Sequence, residues 1–180
     1  MLEWGSHSML GLAVVALLAG GANAQTNGTD RGTADEPILK ACQGIEHRQF
    51  DFWLGSWEVT DTTGKVVGSN EITRVANGCA LQEYWRSASG PTGTSLNFYD
   101  PATGQWHQFW AGLGVYLRLS GGIEGDRMVL SGERQSERGP VVDRVTWVPG
   151  EDGTVRQIWD VSSDGGASWQ TIFDGLYNHR

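Results

Sequence analysis

The chain has 180 residues, a formal net charge of −8, nine tryptophans and two cysteines. An acidic surface disfavours nucleic acids and anionic membranes as partners. The sequence contains neither a C-x-x-C motif nor a His, Cys and Asp cluster with ligand spacing, so we expect no metal site and no redox site.

The first 24 residues have the features of a secretory signal peptide. An apolar run, Leu10–Ala19, precedes Ala22-Asn23-Ala24, an A-x-A cleavage signal. The run is shorter than the roughly 20 residues of a membrane-spanning helix, so we expect cleavage rather than anchoring. The mature protein is then periplasmic or secreted and not stably inserted in a membrane. Because Met1–Ser8 lacks Lys and Arg, translation starts at Met1 or at Met9.

Residues 25–47 form a lead-in before the folded domain. Residues 25–37 are polar and lack periodicity, which indicates a flexible segment, and residues 38–47 have room for one helical turn. Cys42 lies in this lead-in, and Cys79 is the other cysteine. In an oxidising compartment the pair predicts a disulfide worth about 4 kcal/mol, the alternative being two buried free thiols.

Residues 48–180 alternate between short strand patterns and turn signals. The turn signals recur about every 8–12 residues, which is typical of an all-β barrel or sandwich. No segment predicts a core helix or a βαβ unit, and short connections favour antiparallel neighbours. We therefore expect a single up-and-down antiparallel barrel of about ten strands, since closure removes exposed edges. After a first strand within Phe50–Thr60, the predicted strands are 65–75, 80–87, 94–99, 105–111, 115–121, 128–135, 141–148, 154–161 and 168–177.

An aromatic octet, Phe50–Trp57, opens this domain. Read with a period of two, it places Trp53, Gly55 and Trp57 on one face of the first strand. A glycine between two tryptophans lets a neighbouring backbone approach while the indoles fill volume. We expect these residues to form the floor of the barrel.

A second structural motif lies near the end of the chain. The pattern Ser162-x-Asp164-x-Gly166-x-Ser168-Trp169 matches an Asp-box. In such a turn the aspartate accepts backbone N–H bonds, the glycine makes the bend and the tryptophan packs beneath. A single copy predicts a hairpin clamp and no glycosidase activity.

Several polar and aromatic side chains share faces of the predicted strands. Apolar walls with a few polar anchors are typical of a ligand cavity. The alternative is that the polar members face water while Leu and Phe fill the core. The candidate ligand-binding residues are Glu83, Trp85, Asn97, Tyr99, Trp106, Gln108, Trp110, Arg144 and Trp159.

The Gly55-x-Trp57 motif, with a basic residue at the end of the last strand, resembles the lipocalin and wider calycin signature. The resemblance implies that Arg180 lies over Trp57 in a cation–π contact. Together with Phe50–Trp57, the segments Gly78-Cys79, Leu96–Pro101 and Phe173–Tyr177 resemble a bacterial exported family of lipocalin-like domains without assigned function. That resemblance implies a calycin-type barrel and no particular activity.

Three functions fit these patterns. The leading hypothesis is a non-catalytic barrel that binds a small, partly apolar molecule. The second is an isomerase or hydrolase that uses an inward carboxylate, Glu83, with Arg144 or His107 nearby. The third is an envelope interaction domain with an exposed apolar patch. Resemblance to the nitrobindin branch would place a haem on His179, but we expect no cofactor.

Overall fold

A computed structural model describes residues 42–180, and the predicted signal peptide lies outside them. These residues form a closed antiparallel barrel of ten strands in which each strand pairs with its sequence neighbours and β1 pairs with β10. The predicted fold class is confirmed. The strands are β1 Gly55–Thr60, β2 Val66–Val75, β3 Ala80–Ser87, β4 Thr92–Asp100, β5 Gln105–Gly112, β6 Val115–Glu124, β7 Arg127–Ser136, β8 Gly139–Pro149, β9 Val155–Ser162 and β10 Gln170–His179.

Turn chemistry produces this simple topology. The Asp61 carboxylate accepts hydrogen bonds from the backbone N–H groups of Thr63 and Lys65, at 2.8 and 3.1 Å, between β1 and β2. Between β4 and β5, the N–H of Gly104 donates to the carbonyl of Asp100 at 2.8 Å. Short turns of this kind leave each strand beside its predecessor, so the sheet closes without crossovers.

The aromatic octet differs from the expectation of one continuous strand. Asp51–Trp53 is a short 3-10 helix, and β1 begins only at Gly55. The N–H of Trp53 donates to the carbonyl of Phe50 at 3.2 Å, a turn that period-two alternation does not reveal. Trp53 and Trp57 are nevertheless both fully buried, and the Trp57 indole N–H donates to the Trp53 carbonyl at 3.0 Å.

The segment before β1 packs against one end of the barrel and forms an aromatic core there. The Phe50 ring lies 5.0 Å from those of Trp53 and Trp147 and 5.6 Å from that of Trp106, between ring centroids. The Trp106 indole N–H lies 3.2 Å from the carbonyl of Glu46, in the 3-10 helix Ile45–Arg48. This closed end is therefore filled by side chains.

A disulfide ties the same segment to the barrel. Cys42 and Cys79 are bonded, with their Cα atoms 4.9 Å apart, so the predicted pairing is confirmed. Asp51 also forms an ion pair with Arg74 of β2. Both links hold the closing segment against the barrel at the β2–β3 connection. Within residues 42–180, no helix is both long and apolar enough to span a membrane.

Candidate functional site

The opposite end of the barrel contains a cavity of about 340 Å³. Two exposed side chains, Leu113 and Ile172, lie at its mouth, and the β3–β4 connection contributes Ser89 and Pro91. The barrel is therefore filled at one end and hollow at the other. The volume is within the range of small-molecule sites.

Five aromatic residues line this cavity. Four of them form what we call the aromatic collar, Trp85, Trp110, Trp159 and Phe173, and the fifth is Tyr177. Trp85 meets Phe173 edge to face with ring centroids 5.9 Å apart, and Trp110 meets Trp159 at the same distance. Each pair joins strands that are not neighbours in the sheet, β3 with β10 and β5 with β9. The collar therefore reaches across the interior of the barrel.

Two glycines allow the Trp110 ring to lie against the barrel wall. Gly93 and Gly112 are cross-strand partners on β4 and β5. A Cβ atom on Gly112 would lie 2.6 Å from the Trp110 ring, and one on Gly93 would lie 2.7 Å from it. Any larger residue at either position would displace the indole, so the pair of glycines helps to keep the cavity open.

A layer of polar side chains lies directly beneath the collar. Glu83, Gln108 and Gln157 each precede a collar tryptophan by two residues, on strands that all run toward the open end. Because strand side chains alternate, each polar group shares the inward face with its tryptophan and lies one step deeper. All three line the cavity.

Glu83 is the centre of this polar layer. Its side chain is 4% exposed. One carboxylate oxygen accepts a hydrogen bond from Asn70 Nδ2 at 2.8 Å, and the other accepts one from Ser95 Oγ at 2.7 Å. Burial raises the pKa of the Glu83 carboxyl above its ordinary value, and the hydrogen bonds from Ser95 and Asn70 oppose this rise.

Hydrogen bonds continue from Glu83 toward β5. Asn97 Nδ2 donates to Ser95 Oγ at 2.8 Å, and Gln108 Nε2 donates to Asn97 Oδ1 at the same distance. The Gln108 amide nitrogen is therefore directed into the network.

A second branch runs toward β9. The Tyr177 hydroxyl lies 3.3 Å from Asn70 Nδ2 and donates to Gln157 Oε1. Burial, followed by the nearby charge of Glu83, raises the pKa of the Tyr177 phenol well above its ordinary value. Tyr177 therefore remains an uncharged member of the network at neutral pH.

One inward ion pair lies beside the collar. The Asp143 carboxylate is 1% exposed and lies 2.7 Å from Arg134 Nε. It also accepts a hydrogen bond from the Trp159 indole N–H at 2.8 Å. Asp143 therefore has a cationic partner as well as a neutral one, and it fixes the orientation of one collar ring.

The structure brings together five of the predicted ligand-binding residues: Glu83, Trp85, Gln108, Trp110 and Trp159 all line the cavity. Asn97 is fully buried within the hydrogen-bond network. Tyr99 packs edge to face against His47, with the ring centroids 5.1 Å apart, and Trp106 belongs to the aromatic core of the closed end.

Arg144 lies on the outside of the barrel, apart from the other candidates. Its guanidinium lies 3.0 Å from the Asp160 carboxylate and 4.0 Å from the centroid of the Trp169 ring. Its inward neighbours on β8, Asp143 and Val145, are buried. The sequence does not mark which face of β8 is inward, because charged residues alternate with valines on both sides.

His107 is likewise not beside Glu83. Its ring is stacked on Phe98, with centroids 5.5 Å apart, and its Nε2 atom lies 4.0 Å from the Asp100 carboxylate. Phe98 and His107 are cross-strand partners on the outward face. Gln157, Phe173 and Tyr177 are among the residues that line the cavity but were not predicted to do so. The recurrence of a polar residue two positions before Trp was the available signal for Gln157.

The Ser162–Trp169 turn has the hydrogen bonds of a clamp. Asp164 accepts from the Ser168 N–H at 2.8 Å and from the Ser168 hydroxyl at 2.6 Å. The Gly166 N–H donates to Ser162 Oγ at 2.8 Å. The Ser168 bonds hold the pKa of Asp164 well below its ordinary range. This turn connects β9 to β10 at the open end and orders part of the rim.

The aromatic stack at the closed end differs from the arrangement implied by the lipocalin resemblance. His179, not Arg180, lies over Trp57, with ring centroids 3.8 Å apart. Arg180 instead lies 3.9 Å from the Glu58 carboxylate. Alternation along β10 explains the difference, since Tyr177 and His179 share the face that meets Trp57.

The outer wall carries some exposed apolar side chains. Leu96 and Phe109 are cross-strand partners and are 44% and 51% exposed, and Tyr116 of β6 is 71% exposed. In an envelope interaction domain, these exposed side chains would form the contact surface.

No family model and no curated protein compared with this chain matches its sequence. Among residues 42–180, no group of three or more His, Cys, Asp and Glu side chains is placed to hold a metal ion. The fold and the site define a closed antiparallel barrel with one filled end and an aromatic-lined cavity at the other.

Proposed function

We propose that this protein is an exported, lipocalin-like binding protein that holds a small, partly apolar molecule without chemical conversion. The observation that carries the proposal is the cavity itself. Its volume is about 340 Å³, the aromatic collar forms its walls, and a layer of polar side chains lies beneath the collar. Apolar walls bury the body of a ligand, and a few placed polar groups set its orientation.

Two features support the lipocalin-like and exported parts of the proposal. The segment that closes one end leaves the other available for a ligand, an arrangement suited to a binding barrel. The Cys42–Cys79 disulfide is favoured in an oxidising compartment. The signal-peptide pattern in residues 1–24 agrees with that location.

An enzyme remains the second candidate, because Glu83 combines cavity access with a raised pKa. A carboxyl of this kind is suited to general acid–base catalysis. Neither Arg144 nor His107 reaches the cavity, and Asp143 is committed to Arg134 and Trp159. Both hydrogen-bond partners of the Glu83 carboxylate, Asn70 and Ser95, are neutral, and neither is a second acid or base.

Native mass spectrometry of protein purified from the periplasm of its own host tests the proposal. We expect a retained small molecule of constant mass that is lost on denaturation. N-phenyl-1-naphthylamine, a neutral aromatic dye, should also bind and compete with it. An empty protein that fails to bind the dye would overturn the binding function. Conversion of the retained molecule on incubation would favour the enzyme.

A further inference from the structure

We propose that the ligand of the cavity is an organic cation: a protonated amine carried on an aromatic or bulky apolar body, with its charge directed at Glu83. This inference rests on the proposed binding function and adds the chemical class of the ligand. It is derived from the partners of Glu83, the other charges inside the barrel and the chemistry of the walls.

Glu83 is a buried carboxylate whose partners carry no charge. Its two oxygens accept hydrogen bonds only from the Asn70 amide and the Ser95 hydroxyl, and within residues 42–180 it forms no ion pair. Burying a carboxylate without a counter-charge is costly, and proteins offset the cost by pairing the charge or by raising the pKa of the carboxyl, as burial does for Glu83. A ligand cation in the cavity would supply the missing charge.

The other charges near Glu83 do not change this balance. The Asp143 carboxylate lies 2.7 Å from Arg134 Nε, so the opposite charges of these two side chains largely cancel. Tyr177 remains uncharged because its pKa is raised. Arg144 pairs with Asp160 on the outside of the barrel. Within the described chain, Glu83 is therefore the uncompensated charge that faces the cavity.

The walls of the cavity favour a cation as well. Three of the four collar rings are tryptophans, whose electron-rich faces attract cations more strongly than those of Tyr or Phe. The same faces, together with Glu83, oppose an anion. An ammonium group at the depth of Glu83 leaves the apolar body of its ligand at the depth of the collar, where Trp85 and Trp110 provide contact area.

A neutral ligand is the competing possibility, since a protonated Glu83 would donate a hydrogen bond to a carbonyl or an ether oxygen. The cationic and the neutral ligand would differ in the charge of the group that contacts Glu83. Probes that share one aromatic body and differ only in the terminal group therefore separate them.

Isothermal titration calorimetry at pH 7 with three naphthalene probes provides the test. The probes are 2-(1-naphthyl)ethylamine, 2-(1-naphthyl)ethanol and 1-naphthylacetate, whose end groups are cationic, neutral and anionic. We expect the amine to bind at least about tenfold more tightly than the alcohol, and the acetate to bind most weakly.

Variants locate the effect. Glu83→Gln should weaken amine binding about tenfold more than it weakens alcohol binding. Glu71→Gln, which removes the same charge from an exposed position on β2, should change neither. The comparison of probes on the unmodified protein stands even if the Glu83→Gln variant does not fold.

Two other results would overturn the inference, and they differ in whether the binding function also fails. If the alcohol binds as tightly as the amine, or if Glu83→Gln retains full amine affinity, the ligand is not recognised as a cation, although the cavity still binds small molecules. If none of the three probes binds and the purified protein is also empty, the binding function itself is overturned, and the inference fails with it.

Discussion

The imidazole of His179 stacks on the buried indole of Trp57, with the two ring centroids 3.8 Å apart and the planes inclined by 27°. Trp57 is fully buried, whereas His179 is exposed. The two residues are cross-strand partners on β1 and β10, the pair that closes the barrel. The histidine ring therefore covers the core tryptophan at the closing seam.

His179→Ala should lower the free energy of unfolding by about 1 kcal/mol, the size of a favourable aromatic pair. Arg180→Ala is the matched control, because its exposed ion pair with Glu58 should contribute less than about 0.5 kcal/mol. Urea denaturation followed by tryptophan fluorescence measures both. Equal losses from the two variants would show that the stack is not the stabilising element.

Glu83→Gln should raise the free energy of unfolding at pH 7, because a buried carboxyl with only neutral partners, whose pKa is raised by burial, is replaced by an uncharged amide. The folded pKa of Glu83 lies above the ordinary value of 4.5, so the folded state holds this proton more tightly than the unfolded state. The free energy of unfolding therefore falls as the pH rises from about 4.5 through the folded pKa.

The Glu83→Gln variant should not lose stability over this pH range. Below pH 4.5 the free energies of unfolding of the variant and the unmodified protein should become similar. Thermal unfolding measured across the pH range checks both points. A wild-type protein whose stability relative to the variant is independent of pH would contradict the assignment of Glu83 as a buried, unpaired carboxyl.

Gly112→Ala should reduce binding of N-phenyl-1-naphthylamine by about tenfold or more. The new methyl group would lie 2.6 Å from the Trp110 ring and 3.1 Å from the Gly93 Cα atom, so the indole must move into the cavity. Stability should fall by about 1–3 kcal/mol through overpacking. Dye fluorescence and urea denaturation measure the two effects.

Gly122→Ala is the control for this experiment, since a Cβ atom at Gly122 would meet no heavy atom within 4 Å. It should leave dye binding unchanged. If Gly112→Ala binds the dye as well as the unmodified protein does, the Trp110 ring is not a wall of the binding site.

Replacing Cys42 and Cys79 together by Ala should lower the free energy of unfolding by about 4 kcal/mol, because the disulfide closes a long loop in the unfolded chain. Chemical reduction of the unmodified protein should have the same effect, and it serves as an internal comparison. Urea denaturation with and without a reductant gives both values. A variant as stable as the oxidised protein would mean that the disulfide does not hold the closing segment in place.

The strands were largely readable from the sequence because the turns are local. Residues such as Asp61 and Gly104 make their hydrogen bonds within a few positions, so their chemistry is visible without the fold. The predicted third strand, 80–87, coincides with β3. The octet was the exception, because its bend at Phe50–Trp53 depends on packing against Trp106 and Trp147 from distant strands.

The site was readable only in part. Alternation placed Glu83 with Trp85, and Gln108 with Trp110, on common faces, and the structure shows that these faces are inward. On β8 the alternation of side chains did not show whether Arg144 or Asp143 faces the interior of the barrel. The choice depends on the ion pair with Arg134 of β7 and the hydrogen bond from Trp159 of β9.

The sequence alone predicted the class of fold, about ten strands and, as the favoured of two alternatives, the disulfide, because turn chemistry, two-residue periodicity and cysteine count are local or compositional properties. The tertiary structure decided which faces are inward, that Trp106 fills the closed end while Trp110 lines the cavity, and that Glu83 is buried without a counter-charge. These features depend on the way closure brings together side chains from strands far apart in the chain, and that pairing across the barrel carries no signal within a single strand.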